Sequence, residues 1–217
     1  MRKAFSLLEL SIAVGVISIL LSMVIVSREF ITNARLKKLM YEIHDVETAT
    51  KSFYDIYNGL PGDLDNATAF FDDVVDGNGN EKVEMTTEVY NAMMHLGAAD
   101  LIIGDYQANE ADYAYHNKAK SGIVMRLIYT NDLEGFYISD ANVFQLGQAD
   151  NADNAIFTPE EAEYLDYKFD DSRPKLGRVT FRNYGTSTEL ACTNETNAYY
   201  VASKEVSCNL VFAIDFL

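Results

Sequence analysis

The sequence predicts an α+β protein: one long helix first, then a small, mostly antiparallel sheet with one or two short helices. Three observations predict it. Ser27 to Tyr57 contains neither proline nor glycine, and its apolar residues recur every three or four positions. Asn58-Gly59-Leu60-Pro61-Gly62-Asp63 then breaks the pattern. From Gly122 onward the signature changes to short β-branched and aromatic runs. With 217 residues and 48% apolar content, one globular domain beyond the long helix is the natural count.

The first element begins with Arg2 and Lys3 and continues as an apolar run with no charge between Leu10 and Val26. Phe5 to Val26 is 22 residues. At ~1.5 Å per residue that is ~33 Å of helix, enough for a bilayer core of ~30 Å. The basic residues place the N-terminus inside and everything after Arg28 outside. The run exceeds the ~7–15 residues of a secretory signal, and no small-x-small cleavage site closes it before Arg28. A plain signal anchor accounts for all of this except Glu9, a carboxylate at the apolar end that costs free energy.

Lys3-Ala4-Phe5-Ser6-Leu7-Leu8-Glu9 resembles the processing site of type IV prepilins and type II secretion pseudopilins. In that family a short basic leader is cut just before a Phe, and a Glu stands four residues later, ahead of an apolar helix. The resemblance implies cleavage between Ala4 and Phe5, N-methylation of Phe5, and Glu9 as the assembly glutamate. Cleavage would create an ammonium at Phe5 able to pair with Glu9 of a neighbouring subunit. Ala4 departs from the Gly more usual before the cut.

The helix is expected to run on to Tyr57, ~80 Å in all. Ile31, Leu36, Leu39, Met40, Ile43, Val46, Ala49, Thr50 and Phe53 form the apolar stripe of its second half. This divides the chain into residues 1–4 as leader, 5–57 as the long helix with a span at about 5–26, and 58–217 as an extracytoplasmic domain. Pro61 to Thr68 resembles a segment that follows the stalk helix in many pilin-like proteins; otherwise it reads as a turn.

Asp76, Asn78 and Asn80 alternate as in the first half of an EF-hand-type loop, and Glu84 could add an oxygen. That is a Ca2+ reading. Against it, Glu81 stands where a Gly is wanted and Thr87 where the bidentate Glu belongs, so a solvated Gly/Asn loop is the competing reading.

Thr87 to Gly97 reads as a short helix with Thr87 as N-cap, continued briefly over Ala98 to Ile103. His95 lies beside its apolar face and reads as packed or surface; His44 and His116 are equally isolated. Strands are expected at 123–130, 135–139, 142–146 and 178–182, with a turn at 131–134. Thr158 and Pro159 start a helix to about Phe169 that buries Ala162, Leu165 and Phe169. The last strand, 207–216, is expected to be half buried by alternation.

Cys192 and Cys208 stand behind an export signal and predict one disulfide rather than two free thiols. Closing the 15 residues between them is worth ~3 kcal/mol in the chain-entropy model. The resemblance agrees, since many pilins close a C-terminal loop this way.

The net charge of −16, or −18 once Arg2 and Lys3 leave with the leader, argues against nucleic acid and anionic membrane surfaces as partners. Three isolated histidines, no phosphate loop and no metal cluster give no enzyme, and no cofactor is required. The resemblance implies a structural subunit of a type IV pilus or type II secretion pseudopilus. It would sit in the inner membrane with its C-terminal domain outside the cytoplasm. Prepilin peptidase, the lipid bilayer, the inner-membrane assembly platform and other pilin or pseudopilin subunits would be its partners, and a periplasmic or cell-surface filament its destination. The second reading is a membrane-anchored extracytoplasmic binding module, Ca2+-dependent, that does not polymerise.

Overall fold

The computed structural model describes residues 6–85, 87–103, 115–116, 123–132, 137–148, 154–182, 192–194, 196 and 198–214. The side chains of residues 24–26, 28, 29, 115, 116, 132 and 182 lie outside the described set, as do Ala4 and Phe5.

The structure is α+β. Helix α1 spans Leu7–Tyr57, α2 Thr87–Ala98 and α3 Pro159–Phe169, with single 3-10 turns at Ala67–Ala69 and Thr130–Asp132. The strands are β1 Tyr115–His116, β2 Ile123–Tyr129, β3 Asn142–Gln148, β4 Val179–Arg182 and β5 Asn209–Ala213. They form one sheet in the order β1-β2-β3-β5-β4, with every pairing antiparallel. The chain divides into two compact units at Lys38/Leu39, inside α1.

In the unit from Met1 to Lys38, the large apolar side chains between Leu7 and Met23 are at least half exposed. Among the described residues no helix is long and apolar enough to cross a membrane.

In the unit from Leu39 to Leu217, α1 buries Leu39, Ile43, Val46, Ala49, Thr50 and Phe53 of the predicted stripe, while Met40 is half-buried; before Leu39, Leu36 is buried and Ile31 exposed. Thr50 is tolerated there because its hydroxyl donates to the Val46 carbonyl at 2.9 Å. Glu47, on the flank of that stripe, forms an ion pair with Arg178, whose Nε also donates to the Ala213 carbonyl at 3.1 Å. Helix α2 packs on β2, and α3 lies against β4.

Helix α2 stops at Ala98 instead of continuing to Ile103. Asp100 takes a left-handed conformation (φ 57°). Leu101 N donates to the Leu96 carbonyl and Asp100 N to the Gly97 carbonyl, both at 3.0 Å. These two bonds are a Schellman motif, which consumes the carbonyls the helix would need to go on. Thr87 is the first helical residue rather than the cap. Helix α3 begins as expected: Glu161 N donates to Thr158 Oγ1 (3.3 Å), and Thr158 N donates back to Glu161 Oε2 (3.1 Å). Phe169 is half-buried rather than buried, with its ring 5.1 Å from Phe212.

Two strand expectations change. Residues 137–139 are not a strand, and 135–136 lie outside the described residues. Strand β5 is buried on both faces from Asn209 to Phe212, not half buried. β2 is likewise buried throughout, which brings Arg126 inside. Its Nε and Nη2 donate to Gln145 Oε1 at 2.9 and 2.7 Å, and Gln145 Nε2 passes a bond to Asn209 Oδ1 at 3.2 Å. Three neighbouring strands are thus joined by polar side chains inside the sheet, where an unmet donor would cost free energy.

Candidate functional site

The start of α1 carries the residues that the sequence singles out. Ser6 is the N-cap: its carbonyl accepts the first helical bond, from Leu10 N at 3.1 Å. Its hydroxyl accepts from Leu8 N at 3.3 Å, and its own N–H donates to Glu9 Oε2 at 3.2 Å. This is a capping box of the S-x-x-E type, with the hydroxyl on the second amide rather than the third. Glu9 therefore has a local occupation, and its negative charge stands where the helix dipole favours it. The Ser6-Leu-Leu-Glu9 spacing was sufficient to signal this role from sequence.

From Leu10 to Met23 the helix surface is apolar even where serine interrupts it. Ser11 donates to the Leu8 carbonyl (2.9 Å), Ser18 to Val14 (2.8 Å) and Ser22 to Ile19 (2.8 Å). Each hydroxyl is satisfied within its own helix, so none demands water or an outside partner. A helix of this kind can enter an apolar bundle with a single titratable group at its head.

The loop with the cation-like pattern is built the opposite way round. Its backbone amides point inward, at a carboxylate. Asp63, only 2% exposed, accepts from Gly79 N (2.8 Å) and Asn80 N (3.1 Å) on Oδ1, and from Glu81 N (2.7 Å) on Oδ2. Successive amides converging on an anion are a nest, whereas a Ca2+ loop turns oxygens inward. The four residues of the Ca2+ reading are engaged in bonds of their own. Asp76 accepts from Thr68 N (2.8 Å) and Thr68 Oγ1 (3.1 Å). Asn78 Nδ2 donates to Glu84 Oε2 (3.0 Å), and Asn80 Oδ1 accepts from Lys82 N (3.0 Å).

Two more buried groups tie this loop down. Glu88 accepts from Asn78 N (3.2 Å) and Glu84 N (2.9 Å). His95, fully buried, accepts from Gly62 N on Nδ1 (3.0 Å), which makes Nε2 the protonated nitrogen facing the Val75 carbonyl (3.0 Å). Burial pushes the His95 pKa down and those of Asp63 and Glu88 up. His95 is thus a packed histidine. Nothing in the sequence pattern marks Asp63, because its partners lie 16 to 18 residues away.

The predicted disulfide is present. Cys192 and Cys208 are bonded, with Cα atoms 5.0 Å apart. Cys208 N donates to the Phe157 carbonyl (2.9 Å), fixing the bridge to the chain entering α3. Tyr199, inside the closed loop, donates to Asp166 Oδ2 at 2.8 Å, and Ser172 N donates to Asp166 Oδ1 at 3.2 Å. Asp166, Asp170 and Asp171 lie together at the end of α3, but their oxygens are engaged. Asp170 accepts from Val179 N (3.1 Å) and Asp171 from Arg173 N (2.9 Å).

Burial pushes the Asp166 pKa from near 3.8 up to about 6, against the pull of Tyr199 and Ser172. With the folded pKa above the unfolded one, the native chain binds more protons between these values. Asp166 thus weakens the fold above about pH 6, and that cost is relieved as pH falls toward 4. His95 acts in the opposite sense, losing stability as pH falls below about 6.5. Comparing Asp166→Asn with wild type isolates the first effect. On acidification from pH 7 to 4.5, the wild type should gain on the order of 2 kcal/mol relative to the variant. Parallel melting curves across that range would remove Asp166 as the titrating group.

Comparison of the chain with protein-family models, curated proteins and solved structures found no match.

Proposed function

We propose that this protein is a structural filament subunit of the type IV pilin or type II secretion pseudopilin kind. It is cut between Ala4 and Phe5, N-methylated at Phe5, and assembled through α1. The observation that carries the reading is the combination at the N-terminus: basic leader, small residue, Phe-Ser-Leu-Leu-Glu, then an uncharged apolar run to Val26. Two structural features support it. The apolar side chains from Leu7 to Met23 are exposed and the intervening serines ask for no outside partner. The unit beyond Lys38 carries its own core and a disulfide-closed C-terminal loop.

In this reading residues 5–26 span the inner membrane before assembly, and the rest faces away from the cytoplasm. Other subunits, the prepilin peptidase and an inner-membrane platform are its partners. The chain itself is a substrate of processing and performs no catalysis.

One observation favours the second reading, an anchored extracytoplasmic binding module that never polymerises. The capping box gives Glu9 a use within its own helix. Ca2+ dependence would then require the cation to displace the bonds now made by Asp76, Asn78, Asn80 and Glu84.

The deciding measurement is the N-terminus of the mature protein with and without prepilin peptidase. A methylated Phe5 only when the peptidase is present is the expected result. Met1 retained in both cases removes the processing claim and leaves the anchored module.

A further inference from the structure

Asn78-Gly79 is a dipeptide prone to succinimide closure, because glycine offers its backbone nitrogen with no side chain in the way. The loop demands glycine here. Gly79 has φ +69, in the left-handed region, and at Gly77 a Cβ would run into the backbone of Asp63. The glycine of the reactive dipeptide thus serves the geometry that lets the loop wrap Asp63.

We infer that Asn78 is a deamidation site held shut by the folded loop and exposed when Asp63 releases it. Closure needs Gly79 N to lose its proton and attack Asn78 Cγ. The Asn78 Nδ2 then leaves as ammonia, and water opens the cyclic imide to aspartate or isoaspartate. The folded loop opposes both early steps. Gly79 N–H donates to the Asp63 carbonyl and to Asp63 Oδ1, each at 2.8 Å, so an amide anion would form against a carboxylate. The Asn78 side chain is held at both ends: Oδ1 accepts from Asn80 N (3.0 Å) and Nδ2 donates to Glu84 Oε2 (3.0 Å). Cγ is thereby kept from swinging onto Gly79 N.

Reaction proceeds through molecules whose loop has opened, and the product does not reclose. Isoaspartate adds a methylene to the backbone between positions 78 and 79, moving the amides of Gly79, Asn80 and Glu81 off Asp63. Either product also sets a new carboxylate where Glu84 and Glu88 already accept bonds from Asn78. Deamidation of Asn78 is thus a one-way record of loop opening. Asn58-Gly59 provides an internal reference: Asn58 is exposed, and among the described residues neither its side chain nor the Gly59 amide has a comparable cage.

The test is peptide mapping with isoaspartate detection at both sites, on the full chain incubated folded, unfolded in denaturant, and as Asp63→Asn. Asn78 should deamidate about tenfold or more slowly in the folded chain than in the unfolded one, as protection by a closed loop requires. Asn58 should differ much less, and Asp63→Asn should return Asn78 toward the unfolded rate. Where Asp63→Asn does not melt cooperatively, Glu84→Ala, which frees only the Asn78 amide end, takes its place with the same expected direction. Equal Asn78 rates in folded and unfolded chains would overturn the inference. So would a folded variant that leaves the Asn78 rate unchanged.

Discussion

In the proposed filament subunit, a Glu9→Gln chain should be cut and methylated like wild type, yet enter filaments about a hundredfold or more less efficiently. The reason is the difference between capping and charge. Gln retains an oxygen that can accept the Ser6 N–H bond, so the start of α1 is preserved. What it loses is the carboxylate that would neutralise the Phe5 ammonium of a neighbour. An ammonium left unpaired in an apolar bundle costs about 3–5 kcal/mol, which is roughly two to three and a half orders of magnitude in subunit addition. Ser6→Ala makes the complementary change. It forfeits the hydroxyl contact to Leu8 N, worth about 1 kcal/mol, and keeps the charge. It should therefore assemble nearly normally. The readout is the ratio of mature subunit in sheared filaments to mature subunit in membranes. If Glu9→Gln assembles as well as wild type, capping is all that Glu9 does and the filament role is lost.

The second large effect belongs to Asp63. Asp63→Ala leaves the amides of Gly79, Asn80 and Glu81 facing one another around an empty centre. The loss should be about 3–5 kcal/mol, less than three separate bonds would give because burial already raises the cost of ionising this carboxyl. For a chain of this length that corresponds to a melting temperature lower by about 10 °C. Asp63→Asn keeps one acceptor oxygen and should fall between. Hydrogen exchange locates the effect: the amides at 79–81 should lose protection before those of the sheet. Unchanged melting and unchanged exchange at those amides would show that the loop is held from elsewhere. Added Ca2+ separates the two descriptions of the loop: a site on Asp76, Asn78, Asn80 and Glu84 raises the melting temperature of the wild-type chain as the cation binds, whereas a nest around Asp63 leaves it unchanged.

Local patterns carried much of the fold. The stripe from Leu39 to Phe53 is a period of 3.6 residues read directly from the chain, and all of its side chains but Met40 are buried. Thr158, Pro159 and Glu161 place the start of α3 to the residue, because capping is a contact over three positions. The pairing of Cys192 with Cys208 followed from there being two cysteines behind an expected export signal.

What failed or was missed depends on contacts far apart in sequence. Alternation led to a half-buried final strand. β5 lies between β3 and β4 and is covered on both faces, so the period of two loses its meaning there. Arg126, charged and mid-strand, gives no local sign that it will be buried against Gln145. The end of α2 turned on the left-handed conformation of Asp100, where glycine is the usual signal. The spacing of Asp76, Asn78 and Asn80 left a cation loop and a solvated Gly/Asn loop both open, because a pattern of side chains says nothing of which way the backbone amides point.

By itself the sequence determined the N-terminal motif, the long helix, the cap that starts α3 and the cysteine pair, each a matter of neighbours within a few positions or of residue counts. Only the tertiary structure decided that Asp63 is the centre of the acidic loop. Its partners are backbone groups 16 to 18 residues away, and backbone amides have no letter in a sequence.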